Sequence, residues 1–132
     1  MIAMRLALVL AAMSLLGYCK DETVSGHGGQ DRTWVLRSLD GAPFAARATL
    51  TFPEEGEIAG QAPCNRYSGQ QTVPYPWFSA ERIISSRRAC PDLDAETRYL
   101  RALGQMTLAE IAGDTLILSN DAGHEMVFRA QE

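Results

Sequence analysis

Leu116-Ile117-Leu118-Ser119-Asn120-Asp121-Ala122-Gly123-His124-Glu125-Met126-Val127-Phe128 carries the clearest folding instruction in the chain. Leu116 and Leu118 face one way, as do Met126 and Phe128, because successive side chains of a strand point to opposite faces. Asn120-Asp121-Ala122-Gly123 between them is a turn, so the two runs form a hairpin. Upstream, Trp34 and Leu36 alternate with Val35 and Arg37 until the turn at Asp40-Gly41. Ala48, Leu50 and Phe52 alternate with Thr49 and Thr51 until Pro53-Glu54-Glu55-Gly56 breaks the run. Ile58 begins a further strand, in which Gly60 marks a bulge or a close backbone approach. Ile83 and Ile84 mark another, so about seven short strands are expected.

One segment is helical instead. Between Asp92 and Met106, the residues Leu93, Tyr99, Leu100, Leu103 and Met106 fall at helical spacings and form a stripe that must pack on the sheet. Pro91 and Asp92 suit its start, and Asp92, Asp94 and Glu96 lie near the positive end of the dipole. Arg98 and Arg101 lie further along, and Gly104 offers a stop. The pattern predicts an α+β domain, mainly antiparallel β: a curved sheet or partial barrel with one covering helix that protects the sheet edges.

The chain has 132 residues, 46% of them hydrophobic and 21% charged, with a formal net charge of -4, which describes one globular domain. Such a balance argues against nucleic acid or anionic lipid as a partner, since both require a clustered basic face. Arg5 precedes an apolar run from Leu6 to Leu16 that only Ser14 interrupts, followed by Gly17, Tyr18 and Cys19. This layout predicts a signal peptide over residues 1–19. The run is shorter than the roughly 20 residues of a membrane span, so a transmembrane anchor is not expected.

Leu16-Gly17-Tyr18-Cys19 resembles the bacterial lipobox, which makes Cys19 a candidate lipidation site, although Tyr18 stands where that pattern holds Gly, Ala or Ser. Cleavage by the ordinary signal peptidase, near Gly17-Tyr18-Cys19 or Val24-Ser25-Gly26, is the alternative. A lipidated Cys19 would leave the even pair Cys64 and Cys90 in a compartment that permits a disulfide. Lys20 lacks the Asp that retains lipoproteins at the inner membrane, so the expected locations are the periplasm or an outer-membrane anchor. Membrane contact is expected only through that lipid. Residues 20–31, with Gly26, Gly28, Gly29 and scattered charges, read as a flexible tether in which His27 is solvated.

Gly60-Gln61-Ala62-Pro63-Cys64-Asn65-Arg66-Tyr67-Ser68-Gly69, then Ile84-Ser85-Ser86-Arg87-Arg88-Ala89-Cys90-Pro91 and Glu96, resembles the META domain family, also called HslJ-like. Trp34-Val35-Leu36 with Asp40-Gly41 matches its opening strand, and Asp114-Thr115-Leu116 with Val127-Phe128 its close. The likeness covers residues 32–130. It implies a lipocalin-like barrel topology with a helix, a bacterial and often lipidated protein, and an association with heat shock or tolerance of novobiocin. Asn65, Arg66 and Tyr67 are the core of that signature, with Arg87 and Arg88 close to the second cysteine.

These residues do not add up to a reaction. A nucleophilic Cys64 would need a base and a depressed pKa; Arg66, Arg87 and Arg88 offer positive charge, but His27 and His124 lie far off in sequence. A Cys64–Cys90 disulfide is expected instead. No close CxxC or HxxxH spacing supports zinc, so neither metal nor cofactor is expected. Glu54, Glu55 and Glu57 flank a turn and face solvent. Pro74-Tyr75-Pro76-Trp77-Phe78 is a packed loop or a ligand mouth. Asn65 and Gly69 read as a bend beside the disulfide and Tyr67 as core. Arg66 either pairs with Asp94 or Glu96 or projects for recognition. The leading expectation is a non-enzymatic envelope domain that acts through contact with an envelope protein. A carrier of a small apolar ligand is the alternative, and a thiol enzyme the third.

Overall fold

The computed structural model describes residues 20–132, so the signal peptide expected over residues 1–19 and the lipidation expected at Cys19 lie outside the described residues. The strands are β1 (Trp34–Leu39), β2 (Ala42–Pro43), β3 (Thr49–Leu50), β4 (Glu57–Gln61), β5 (Arg66–Gln70), β6 (Glu81–Ser85), β7 (Leu108–Ala112), β8 (Thr115–Ser119) and β9 (Glu125–Ala130); the helix α1 is Leu93–Gln105. The strand number exceeds the expected one because β2 has only two residues and β5 and β7 each bury only one side chain fully, Tyr67 and Ala109, so none shows clear alternation; the bend expected over Asn65–Gly69 ends at Asn65, and Arg66–Gln70 continue as β5.

Every strand pairing is antiparallel. One sheet runs β2-β1-β9-β8-β7 with β3 against β1, and a second runs β4-β5-β6. Thr51 and Ala59 join them by exchanging backbone hydrogen bonds at 2.7 and 3.0 Å, so the β-structure bends from one sheet into the other. The result is curved but not a closed barrel: among the described residues β6 pairs only with β5, and β7 gains only a bridge from Trp77 at its free side. The terminal hairpin has the expected register, with Leu116 opposite Phe128 and Leu118 opposite Met126, all fully buried.

α1 lays Tyr99 and Leu103 on the core, and Met106, just past its end, is buried with them. Two details differ from the expected helix. Leu93 stays 43% exposed, and the buried place in phase with Tyr99 and Leu103 belongs to Glu96. Gly104 does not stop the helix, which runs to Gln105 and ends as Met106 becomes extended and enters the core. Trp34, Phe52, Tyr99 and Phe128 fill the interior, where a carrier would hold its ligand.

Residues 20–31 are packed, which corrects the flexible-tether expectation. Val24–His27 form a 3-10 turn, with Thr23, Val24 and Ser25 buried. The missing apolar surface is replaced by polar closure. The Asp21 carboxylate accepts from the Thr23 N–H and the Thr23 and Ser25 hydroxyls, and the Glu22 carbonyl accepts from Tyr75 N–H at 2.6 Å. His27 stacks on Tyr75 at 4.7 Å, so it is not a free linker histidine. The Gly29 carbonyl takes the indole N–H of Trp34 at 3.3 Å. The folded unit therefore begins near Asp21 rather than at residue 32.

Candidate functional site

The signature residues meet where β4 turns into β5. Pro63 and Cys64 form the turn, which the Ala62 N–H closes on the Asn65 carbonyl at 2.8 Å. Cys64 and Cys90 are joined by a disulfide, with their Cα atoms 5.7 Å apart. This brings the segment after β6 against the start of α1. Glu96 then reaches from the helix into the turn. Its carboxylate accepts from the N–H groups of Cys64 and Asn65 at 3.0 and 2.7 Å and from the Asn65 side chain at 2.6 Å. The same Asn65 amide grips the other arm, donating to the Arg88 carbonyl at 3.0 Å and accepting from the Arg88 N–H at 2.6 Å and the Ser86 hydroxyl at 3.1 Å. Asn65 and Glu96 are both about 5% exposed, and their hydrogen bonds satisfy what burial would otherwise leave costly.

Beneath this clamp lies a second polar cluster. Tyr67 donates to the Thr49 carbonyl at 2.6 Å, and Tyr99 reaches the Tyr67 oxygen at 2.6 Å and the same carbonyl at 3.1 Å. Burial drives both phenols well above the ordinary tyrosine range; the neighbouring Tyr99 raises Tyr67 further, while the Tyr67 hydrogen bond partly offsets the rise at Tyr99. Gly60 makes the cluster fit, since a Cβ there would lie 2.1 Å from the Thr49 oxygen and 2.8 Å from the Tyr67 hydroxyl. The close approach expected at Gly60 is thus a backbone and a phenol meeting over a bare α-carbon.

The arginines have a different part. Arg66 is exposed and makes no ion pair among the described residues, with neither Asp94 nor Glu96; the Glu96 carboxylate is occupied by Asn65 and Cys64. Strand geometry explains the exposure, because Arg66 precedes the inward Tyr67 on β5 and so points to the outer face. With Arg88 it lines an open groove of about 820 Å³, beside Gln61, Ser68, Ile84 and Ser86 and without any carboxylate. Arg87 lines an adjoining hollow with Arg88, Leu93 and Glu96.

The remaining candidates stay apart from this groove. His124 contacts Asp40 at 3.1 Å in an exposed turn and His27 stacks on Tyr75, so neither approaches the cysteines as a base. No grouping of metal-binding side chains is present among the described residues. Phe78 is buried, whereas Trp77 is 57% exposed, so the aromatic loop is partly packed and partly open. The sequence reading missed the clamp role of Glu96, although its spacing from Tyr99 and Leu103 places a carboxylate within the apolar stripe.

Comparison with solved structures recovers the same architecture. An NMR structure of a protein from Burkholderia xenovorans is similar with a TM-score of 0.65 and 25% identity, over 81% of this chain and 86% of that one. A second NMR structure matches with a TM-score of 0.60 and 21% identity, over 76% of this chain and 89% of that one. A crystal structure of a DUF4847 family protein from Bacteroides vulgatus matches with a TM-score of 0.61 at 10% identity, covering 80% and 98% of the two chains. The last two likenesses concern the fold alone. No curated protein matches the chain. The family model described as META domain matches residues 28–132, through both arms of the Asn65 clamp and the hairpin that closes the sheet, and the chain belongs to the META domain family.

Proposed function

We propose that the chain is a non-enzymatic binding domain of the bacterial envelope, supporting tolerance of heat or of novobiocin-type drugs through contact with another protein. Export by the N-terminal segment, to the periplasm or to an outer-membrane anchor at Cys19, belongs to the same proposal. One observation carries it. The signature residues divide into Asn65, Tyr67 and Glu96, turned inward and fully bonded, and Arg66 and Arg88, turned outward into an open groove. Inward residues hold the fold; exposed, unpaired arginines suit recognition.

The test combines a melting curve with growth. Arg66→Ala together with Arg88→Ala should keep the fold, since surface substitutions of this kind cost within about 0.5 kcal/mol each. A strain carrying only that variant should lose tolerance of heat or novobiocin. Normal growth, with the variant present in the envelope at the usual level, would refute the proposal.

A further inference from the structure

The groove ends at an unfinished sheet. Among the described residues β6 pairs with β5 on one side only, so its other side offers backbone N–H and C=O groups that a further strand can use. The first half of β6 is guarded. Arg82 has a φ of 52° and the register shifts between Ser68 and Gln70, a kink that discourages pairing. The second half has no such guard: Ser68 faces Ile84 and Tyr67 faces Ser85 in regular register, and Ile84 is 70% exposed.

Charge selects the occupant. The chain as a whole is acidic, with a net charge of -4. Yet Arg66, Arg87 and Arg88 make no ion pair among the described residues, where the pairs present are Arg32–Asp114 and His124–Asp40. Arg66 and Ser68 share one face of β5, and Ile84 stands beside Ser68 on that face. An added strand repeats its side chains on one face every second residue, so it can set carboxylates toward the arginines and an apolar group on Ile84.

We infer that the groove and the free edge of β6 together dock an acidic, extended segment of a partner protein, which adds as a strand beside Ile83–Ser85 and pairs its carboxylates with Arg66 and Arg88. This rests on the binding-domain proposal above and specifies its partner chemistry.

Fluorescence anisotropy tests it with the full chain and a labelled peptide of alternating Glu and Val, about eight residues long to match a strand. The peptide should bind, its Kd rising at least about tenfold between low and molar salt as screening weakens the ion pairs. Methylating alternate amides of the peptide should abolish binding, as should Arg66→Glu with Arg88→Glu in the protein. A peptide of alternating Lys and Val should not bind. Equal binding of the methylated peptide would overturn strand addition, and tighter binding of a single-stranded oligonucleotide would overturn the choice of a protein partner. If the unaltered chain ignores the Glu peptide while the double variant still folds and loses stress tolerance, the docking mode fails and the binding-domain proposal stands. If the folded double variant keeps tolerance, the proposal itself fails.

Discussion

Thr49 offers one carbonyl oxygen to two phenols, and that arrangement has a pH signature. Tyr67 and Tyr99 are both raised above the ordinary value of 10.0, chiefly by burial, so the folded chain holds their protons more tightly than the unfolded chain does. Their contribution to stability is complete below pH 10 and falls as the pH rises toward the folded values. The slope should approach about 1.4 kcal/mol per pH unit for each phenol. Denaturant melts between roughly pH 9 and 11.5 should show this decline, and Tyr99→Phe should reduce its slope. A flat profile would contradict the buried pair. Glu96 makes a related point, because its carboxylate is tied to three donors from one turn. Its value as a fold-holding residue was only half visible in the sequence: the spacing put it on the buried stripe, but the donors come from residues about 31 positions away.

At the scale of elements, the 3-10 turn at Val24–His27 works as a plug over one end of the core, with Val24 fully buried. Deleting everything before Asp31 should therefore destabilise the domain. It removes a buried valine and the Gly29 acceptor of Trp34, together about 2–3 kcal/mol and so a fall of several degrees in Tm. Calorimetry of the shortened chain decides it, and an unchanged Tm would restore the tether. The contrast with the hairpin shows what a sequence can reveal. Leu116–Phe128 is legible because strand period, turn residues and partner are all local. The local bonds of Asp21 shape the turn within residues 20–31, but its docking comes from Tyr75 and Trp34, distant groups whose arrival no local pattern announces. β2, β5 and β7 went unread for another reason, since they are short or bury a single side chain and so show no period, while α1, with its own periodicity, was legible. The groove was legible in its residue types, but Arg66 could be assigned to the outer face only once the register of β5 was known.

For the whole molecule, the disulfide is the main covalent restraint among the described residues. Its closing separation of 26 residues should contribute on the order of 3 kcal/mol by restricting the unfolded chain. Alkylation of the folded protein without reductant, followed by intact mass, should label neither Cys64 nor Cys90. Labelling of both would show that the native form is the dithiol. Reduction should lower Tm markedly in the otherwise unaltered chain. The clamp beside the bond bears on how such a protein is made. Asn65 holds both the N–H and the carbonyl of Arg88, much as a neighbouring strand would, and Glu96 fixes the Cys64 turn from the other side. None of these contacts involves sulfur, so they can hold the two thiols face to face before the bond forms. Oxidation would then seal a geometry already chosen, and forming the bond in this chain would call for an electron acceptor more than for an isomerase to correct its pairing.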